Sequence, residues 1–241
     1  MKKAFGILGF ICFTLAGCSL SSNRTTDNKL MPNDFIIVND LVKEAHFDIK
    51  YYGKDNFVGT PVDGYDAPLC VLQKRAAEGL VKASNAALKE GYRLKILDCY
   101  RPQRAVSHFV RWASNLADTV TKTHYYPNIP KSTLLGPYIA EKSGHSRGAT
   151  LDVTLEKRSA ENTWEPVDMG TPFDFFDPLS HTVNSEVGES VLQNRQRLIR
   201  YMQAGNFVNY ELEWWHFSQQ EQVYPNTYFD FPLQLTTDNT R

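Results

Sequence analysis

Two short stretches of this chain hold residue types that can do chemistry together. The first is Ser143-Gly144-His145-Ser146-Arg147-Gly148-Ala149-Thr150-Leu151-Asp152, and the second is Glu213-Trp214-Trp215-His216. Two imidazoles and one carboxylate, His145, His216 and Asp152, make a donor set that suits zinc or another borderline first-row metal. Calcium is disfavoured because it takes oxygen ligands throughout. Glu213 adds a free carboxylate close in sequence to His216, and a carboxylate beside an activated water is the usual general base. His46, His108, His124 and His181 have no comparable neighbours and are not assigned to metal.

These residues meet only if the surrounding elements bring them together. Thr150 to Leu155 reads as a β-branched strand, with Leu151, Val153 and Leu155 on one face and Asp152 on the other beside Thr150 and Thr154. The apolar face serves a core, so Asp152 is aimed at a cleft or at solvent. Gly148 permits the sharp turn that returns His145 to Asp152. Glu213 and His216 are an odd number of residues apart, which would put them on opposite faces of a flat strand. A bulge, a loop leading into the strand or a local helix must therefore lie between them. The adjacent Trp residues would form a dry wall that strengthens electrostatics in the site.

Helical spacing over Leu72 to Glu90, closed by Gly91, is followed by an alternating strand at Tyr92 to Leu97. Val106, Phe109, Val110 and Ala113 mark a second helix after Pro102, and Ser190 to Ala204 marks a third, ended by Gly205. Two short strands are expected at residues 207–210 and 215–218. The elements do not keep a strict βαβ rhythm, so the expectation is an α+β domain with a mostly antiparallel central sheet flanked by helices. With 241 residues, 42% of them hydrophobic, the chain can bury a sizeable core. No linker interrupts it after Asp34, so residues 34–241 read as one domain. Lys plus Arg (26) balances Asp plus Glu (27), which excludes a nucleic-acid partner held by bulk electrostatics. Nothing in the sequence sets an oligomeric state.

Residues 1–17 read as a signal peptide: Met1-Lys2-Lys3 supplies positive charge, and the apolar run from Ala4 to Gly17 is too short to span a bilayer. Leu15-Ala16-Gly17-Cys18 resembles the bacterial lipobox, which implies lipidation of Cys18 and attachment to a membrane. Residues 18–33 read as a flexible tether. An exported lipoprotein in the cell envelope is expected, at the periplasmic face of the outer membrane where two membranes exist. In that oxidising setting Cys70 and Cys99 are either bridged or remain two buried thiols.

The pattern S-x-H-x-x-G-x-A-x-D, followed later by E-x-W-H, resembles the signature of zinc D,D-peptidases. Asp55-Asn56-Phe57, Tyr100-Arg101-Pro102-Gln103-Arg104, Tyr125-Tyr126-Pro127-Asn128, Phe173-Asp174-Phe175 and Tyr228-Phe229-Asp230-Phe231-Pro232 extend the likeness from Asp34 to Pro232. The closer resemblance is to D-alanyl-D-alanine dipeptidases of the vancomycin-resistance type. It implies the Hedgehog-like zinc D,D-peptidase fold and hydrolysis of D-alanyl-D-alanine to two D-alanines. It implies one zinc on His145, Asp152 and His216, with a fourth position for water, and Glu213 as general base. Arg101 becomes the stabiliser of the developing oxyanion, against the alternative of a structural ion pair with Asp98. Asp174 becomes the seat of the substrate ammonium, against that of a turn-capping loop residue. Ser143 falls at the carboxylate end. Gly144 departs from the Ser expected before the zinc histidine, and the export signal departs from the resistance enzymes, which act inside the cell. Rival readings are a peptidoglycan D,D-carboxypeptidase or endopeptidase, and a non-catalytic zinc-containing envelope lipoprotein. Glu213 and Arg101 argue against the last, because a binding module needs neither.

Overall fold

The computed structural model describes residues 1, 30–42 and 44–235. The signal peptide from residue 2, the lipidation site Cys18 and the tether up to residue 29 lie outside the described residues.

In chain order the elements are β1 (Phe35–Ile37), β2 (His46–Phe47), β3 (Val71–Gln73), α1 (Lys74–Lys89), β4 (Tyr92–Asp98), α2 (Gln103–Ser114) and α3 (Lys122–Tyr125). They continue with β5 (Thr150–Arg158), β6 (Trp164–Pro166), α4 (Glu189–Ala204), β7 (Phe207–Asn209) and β8 (His216–Gln219). The main sheet runs β2-β4-β5-β8-β7, with β6 paired to the far half of β5. Its β2–β4 pair is parallel and its other pairs are antiparallel. A small antiparallel pair, β1 with β3, lies beside it. This is the α+β architecture expected, with β4, β5 and β8 adjacent at its centre.

Leu94, Ile96, Leu151, Val153 and Leu155 are fully buried, as the alternation in β4 and β5 requires. Helix α1 buries Ala76, Ala77, Leu80, Ala83 and Ala87 along one stripe and packs on α4 and β4. The helix begins later than its periodicity suggested, because Leu72 and Gln73 pair with β1 instead. Leu72 is buried in either arrangement, so its apolar character could not separate strand from helix. Pro102 sits just before the first residue of α2, where its missing N–H costs nothing.

Candidate metal centre and substrate cavity

Strand register builds the centre of the site. Asp152 on β5 stands opposite Asp98 on β4 and opposite His216 on β8, which places three ionisable residues in a row across neighbouring strands. Asp98 reaches that row because the register shifts between Ile96 and Asp98. In a regular ladder Asp98 would share the face of Leu94 and Ile96; the bulge turns it to the face of Asp152. Glu213 precedes β8 on a turn in which the His216 N–H donates to the Glu213 carbonyl at 3.2 Å. That turn resolves the parity conflict, and Glu213 Oε2 lies 3.5 Å from His216 Nδ1.

His145 comes from a single helical turn, Gly144–Arg147, capped by Ser143 Oγ, which accepts from the His145 N–H at 3.2 Å. The turn ends at Gly148, whose φ of 80° is left-handed, and a β-carbon there would collide with the ring of Phe35. Gln73 holds the turn from below. Its N–H donates to the Gly148 carbonyl at 2.8 Å and its side-chain amide to the Arg147 carbonyl at 2.6 Å.

One ligand atom from each of His145, Asp152 and His216 falls within 4.8 Å of the other two. Asp152 Oδ1 is 3.3 Å from His145 Nε2 and 3.2 Å from His216 Nδ1. His145 Nδ1 lies 2.7 Å from the Cys99 carbonyl, which can only accept, so the ring proton sits on Nδ1 and the Nε2 lone pair faces the cluster. Asp152 Oδ1 is buried and makes no hydrogen bond. Such an orphaned oxygen, facing two imidazole nitrogens, is what a divalent cation would satisfy, so the residues present fit zinc. Burial alone would push the Asp152 carboxyl up, but the two imidazoles hold it below the usual carboxylate range. Burial pushes Glu213 up to about 7, in the range where a carboxyl can both take and return a proton near neutrality.

Arg101 follows β4, forms the ion pair with Asp98 and still faces the cavity. Its guanidinium donates to Asp98 Oδ2 at 2.9 Å and lies 3.4 Å from Asp152 Oδ2, while lining the cavity over the rings of Tyr51 and Phe109. The ion pair orients this arginine without removing it from the site. Burial pushes the Asp98 carboxyl up against the pull of Arg101 and His145. Asp98 also accepts from the Tyr65 hydroxyl at 2.6 Å.

Asp174 lies in the same cavity, about 440 Å³ in volume, with Ser143, His145, Asp152, Glu213 and His216. It is 5% exposed, and among the described residues its carboxylate accepts one side-chain hydrogen bond, from Tyr51 at 2.9 Å, with no cation paired to it. Burial pushes it well above the ordinary aspartate range. Its backbone is left-handed, φ 59°, so the loop dictates its direction. That loop is clamped by the buried Arg195 of α4, whose guanidinium donates to the carbonyls of Met169, Leu179 and His181. Trp214 joins it through Thr171 Oγ1 at 2.9 Å, and Trp215 lines the cavity against Phe173.

Cys70 and Cys99 are joined by a disulfide. Sequence reasoning passed over Tyr51 and Arg195, and met Asp98 only as a rival partner for Arg101. The spacing Asp98-x-x-Arg101 was the one available signal. His46, His108 and His181 take structural contacts away from the triad.

A mostly antiparallel sheet that presents a histidine and an aspartate to a cavity, with a second histidine from an adjoining turn and a glutamate and an arginine alongside, fits a metallopeptidase-type hydrolase. Comparison with known proteins gives the particular family. Residues 31–234 match the peptidase M15 family, described as D-ala-D-ala dipeptidase, and the chain belongs to that family. It is 42% identical over 201 residues to a D-alanyl-D-alanine dipeptidase of Enterococcus faecium, covering 83% of this chain and 98% of the relative. Relatives of the same name from Enterococcus faecalis (41%) and Streptomyces coelicolor (42%) are each covered completely, by 84% of this chain.

Proposed function

We propose that this enzyme hydrolyses D-alanyl-D-alanine to two D-alanines with a zinc ion held by His145, Asp152 and His216. When bound there, zinc supplies a Lewis acid and an acidified water. Glu213 takes a proton from the attacking water and returns it to the leaving amine. Arg101, fixed by Asp98, offers its guanidinium to the carbonyl oxygen as that oxygen gains charge. The Tyr51, Phe109 and Trp215 rings exclude bulk water and so strengthen these interactions.

Asp174 carries the dipeptide reading. A buried carboxylate without a cation suits the ammonium of a short substrate, and fixing that ammonium beside the scissile bond excludes peptides extended at the amino end. The test is hydrolysis of free D-Ala-D-Ala against a peptidoglycan pentapeptide stem. Cleavage of the dipeptide with poor use of the stem is expected, and activity on the stem alone would favour a carboxypeptidase. Glu213→Ala is expected to lose activity a hundredfold or more while keeping zinc. Full activity in zinc-loaded Glu213→Ala would end the general-base assignment.

We further propose that the enzyme is an exported lipoprotein whose role is recovery of D-alanine from released dipeptide. The Leu15 to Cys18 motif supports this, and the disulfide suits an oxidising compartment. Incorporation of labelled fatty acid that is lost in Cys18→Ala is the expected result. Unlabelled protein in the cytosol would reverse the reading.

A further inference from the structure

The cavity has cations as well as Asp174 on its walls. Lys142 precedes the His145 turn and Arg147 ends it, and both line the same cavity as Ser143. Neither forms an ion pair with a carboxylate among the described residues. Arg101, by contrast, is engaged by Asp98. Lys142 Nζ lies 5.2 Å from the ring of Tyr228 and the Arg147 guanidinium 5.9 Å from it, so both cations converge on one ring. Arg147 Nε donates to Gln222 Oε1 at 2.6 Å, which fixes one edge of the guanidinium and leaves its terminal nitrogens available.

The guanidinium passes close to Gly144. A β-carbon at residue 144 would sit 3.3 Å from Arg147 Nη2 and 3.2 Å from Thr150 Oγ1. The guanidinium therefore packs directly against the backbone of the His145 turn.

A free dipeptide is a zwitterion, and its carboxylate must exchange water for another partner when the cavity closes around it. An arginine fork matches a carboxylate in shape and charge. We infer that Arg147, assisted by Lys142, reads the substrate's C-terminal carboxylate and sets the preference for a free acid over a capped end. This rests on the dipeptidase reading and adds the residues that enforce the carboxyl limit. With Asp174 at the ammonium, the cavity would recognise both charges of the zwitterion.

The experiment compares D-Ala-D-Ala with its C-terminal amide, D-Ala-D-Ala-NH2, in the wild type, Arg147→Gln, Arg147→Lys and Lys142→Ala, with zinc content and melting temperature checked for each. The wild type is expected to prefer the free acid. Arg147→Gln is expected to raise KM for the acid roughly tenfold or more, the scale of a lost charge-assisted hydrogen bond, and to leave KM for the amide in place. Arg147→Lys recovers part of the loss. Lys142→Ala, an exposed position that does not threaten folding, shifts the acid-to-amide ratio the same way by less. If the ratio is unmoved in Lys142→Ala and in folded Arg147→Gln, or if both substrates suffer equally, the inference is overturned while the dipeptidase reading stands. A wild type that cleaves neither compound overturns the dipeptidase reading and this inference with it.

Discussion

His145 Nδ1 lies 2.7 Å from the carbonyl of Cys99, whose side chain is tied to Cys70, just ahead of β3. From β3, Gln73 grips the far end of the same His145 turn. The disulfide therefore joins the two anchors of His145, one of the three residues of the candidate metal centre. The paired Cys70→Ser and Cys99→Ser replacement is expected to cost about 3–4 kcal/mol for the loss of a link across 29 residues. It is also expected to weaken zinc retention about tenfold, the scale seen when a ligand's supporting partner is lost. Thermal melting and competition with a chromophoric chelator measure the two effects separately. Unchanged zinc affinity would reduce the bridge to a general staple.

Asp98 is expected to act as a positioning residue. Asp98→Asn keeps the shape but removes the charge that aims Arg101, so kcat should fall about ten- to a hundredfold while zinc content and KM change little. A loss confined to stability, with kcat intact in the folded fraction, would contradict this.

Arg195→Leu removes the donors to three loop carbonyls on either side of Asp174. Buried carbonyls left without partners cost roughly 1–3 kcal/mol each, so a loss of at least about 3 kcal/mol and a melting point lower by about 10 °C or more are expected. KM should rise as Asp174 loses its fixed direction. Steady-state kinetics well below the melting point would show whether it does.

Glu156 gives a pH-dependent stability signal remote from the cavity. Burial would push its carboxyl up, but the hydrogen bonds with His46 (2.9 Å) and Arg93 (2.5 Å) hold it below its ordinary value near 4.5. A depressed carboxyl contributes stability that is complete above that ordinary value and is lost as pH falls through the folded value. Glu156→Gln should therefore lower the melting point at pH 7 and lower it less at pH 3. Equal losses at both would remove the ionic contribution.

Much of the residue cluster at the cavity was legible because it obeys local rules. Alternation along Thr150 to Leu155 placed Asp152 away from the apolar face, and the odd spacing of Glu213 and His216 required an irregularity that the structure supplies as a turn. Asp98 was hidden by the same rule, since parity grouped it with Leu94 and Ile96 and only a bulge, set by pairing to β5, reverses it. Arg195 was hidden differently. It falls on the inward stripe of α4, and its carbonyl partners come from a loop whose path is fixed by tertiary packing. Tyr51 reaches Asp174 from 123 residues away, a pairing no local pattern encodes.

The left-handed backbone of Asp174 and the Arg195 clamp around it are features of the folded protein before any ligand arrives. Orientation of this carboxylate is thus set by the fold itself, through the loop backbone and the Arg195 donors. If Asp174 seats the substrate ammonium as proposed, stopped-flow binding is expected to show a single bimolecular phase, and a slow second phase would show that the loop must order first.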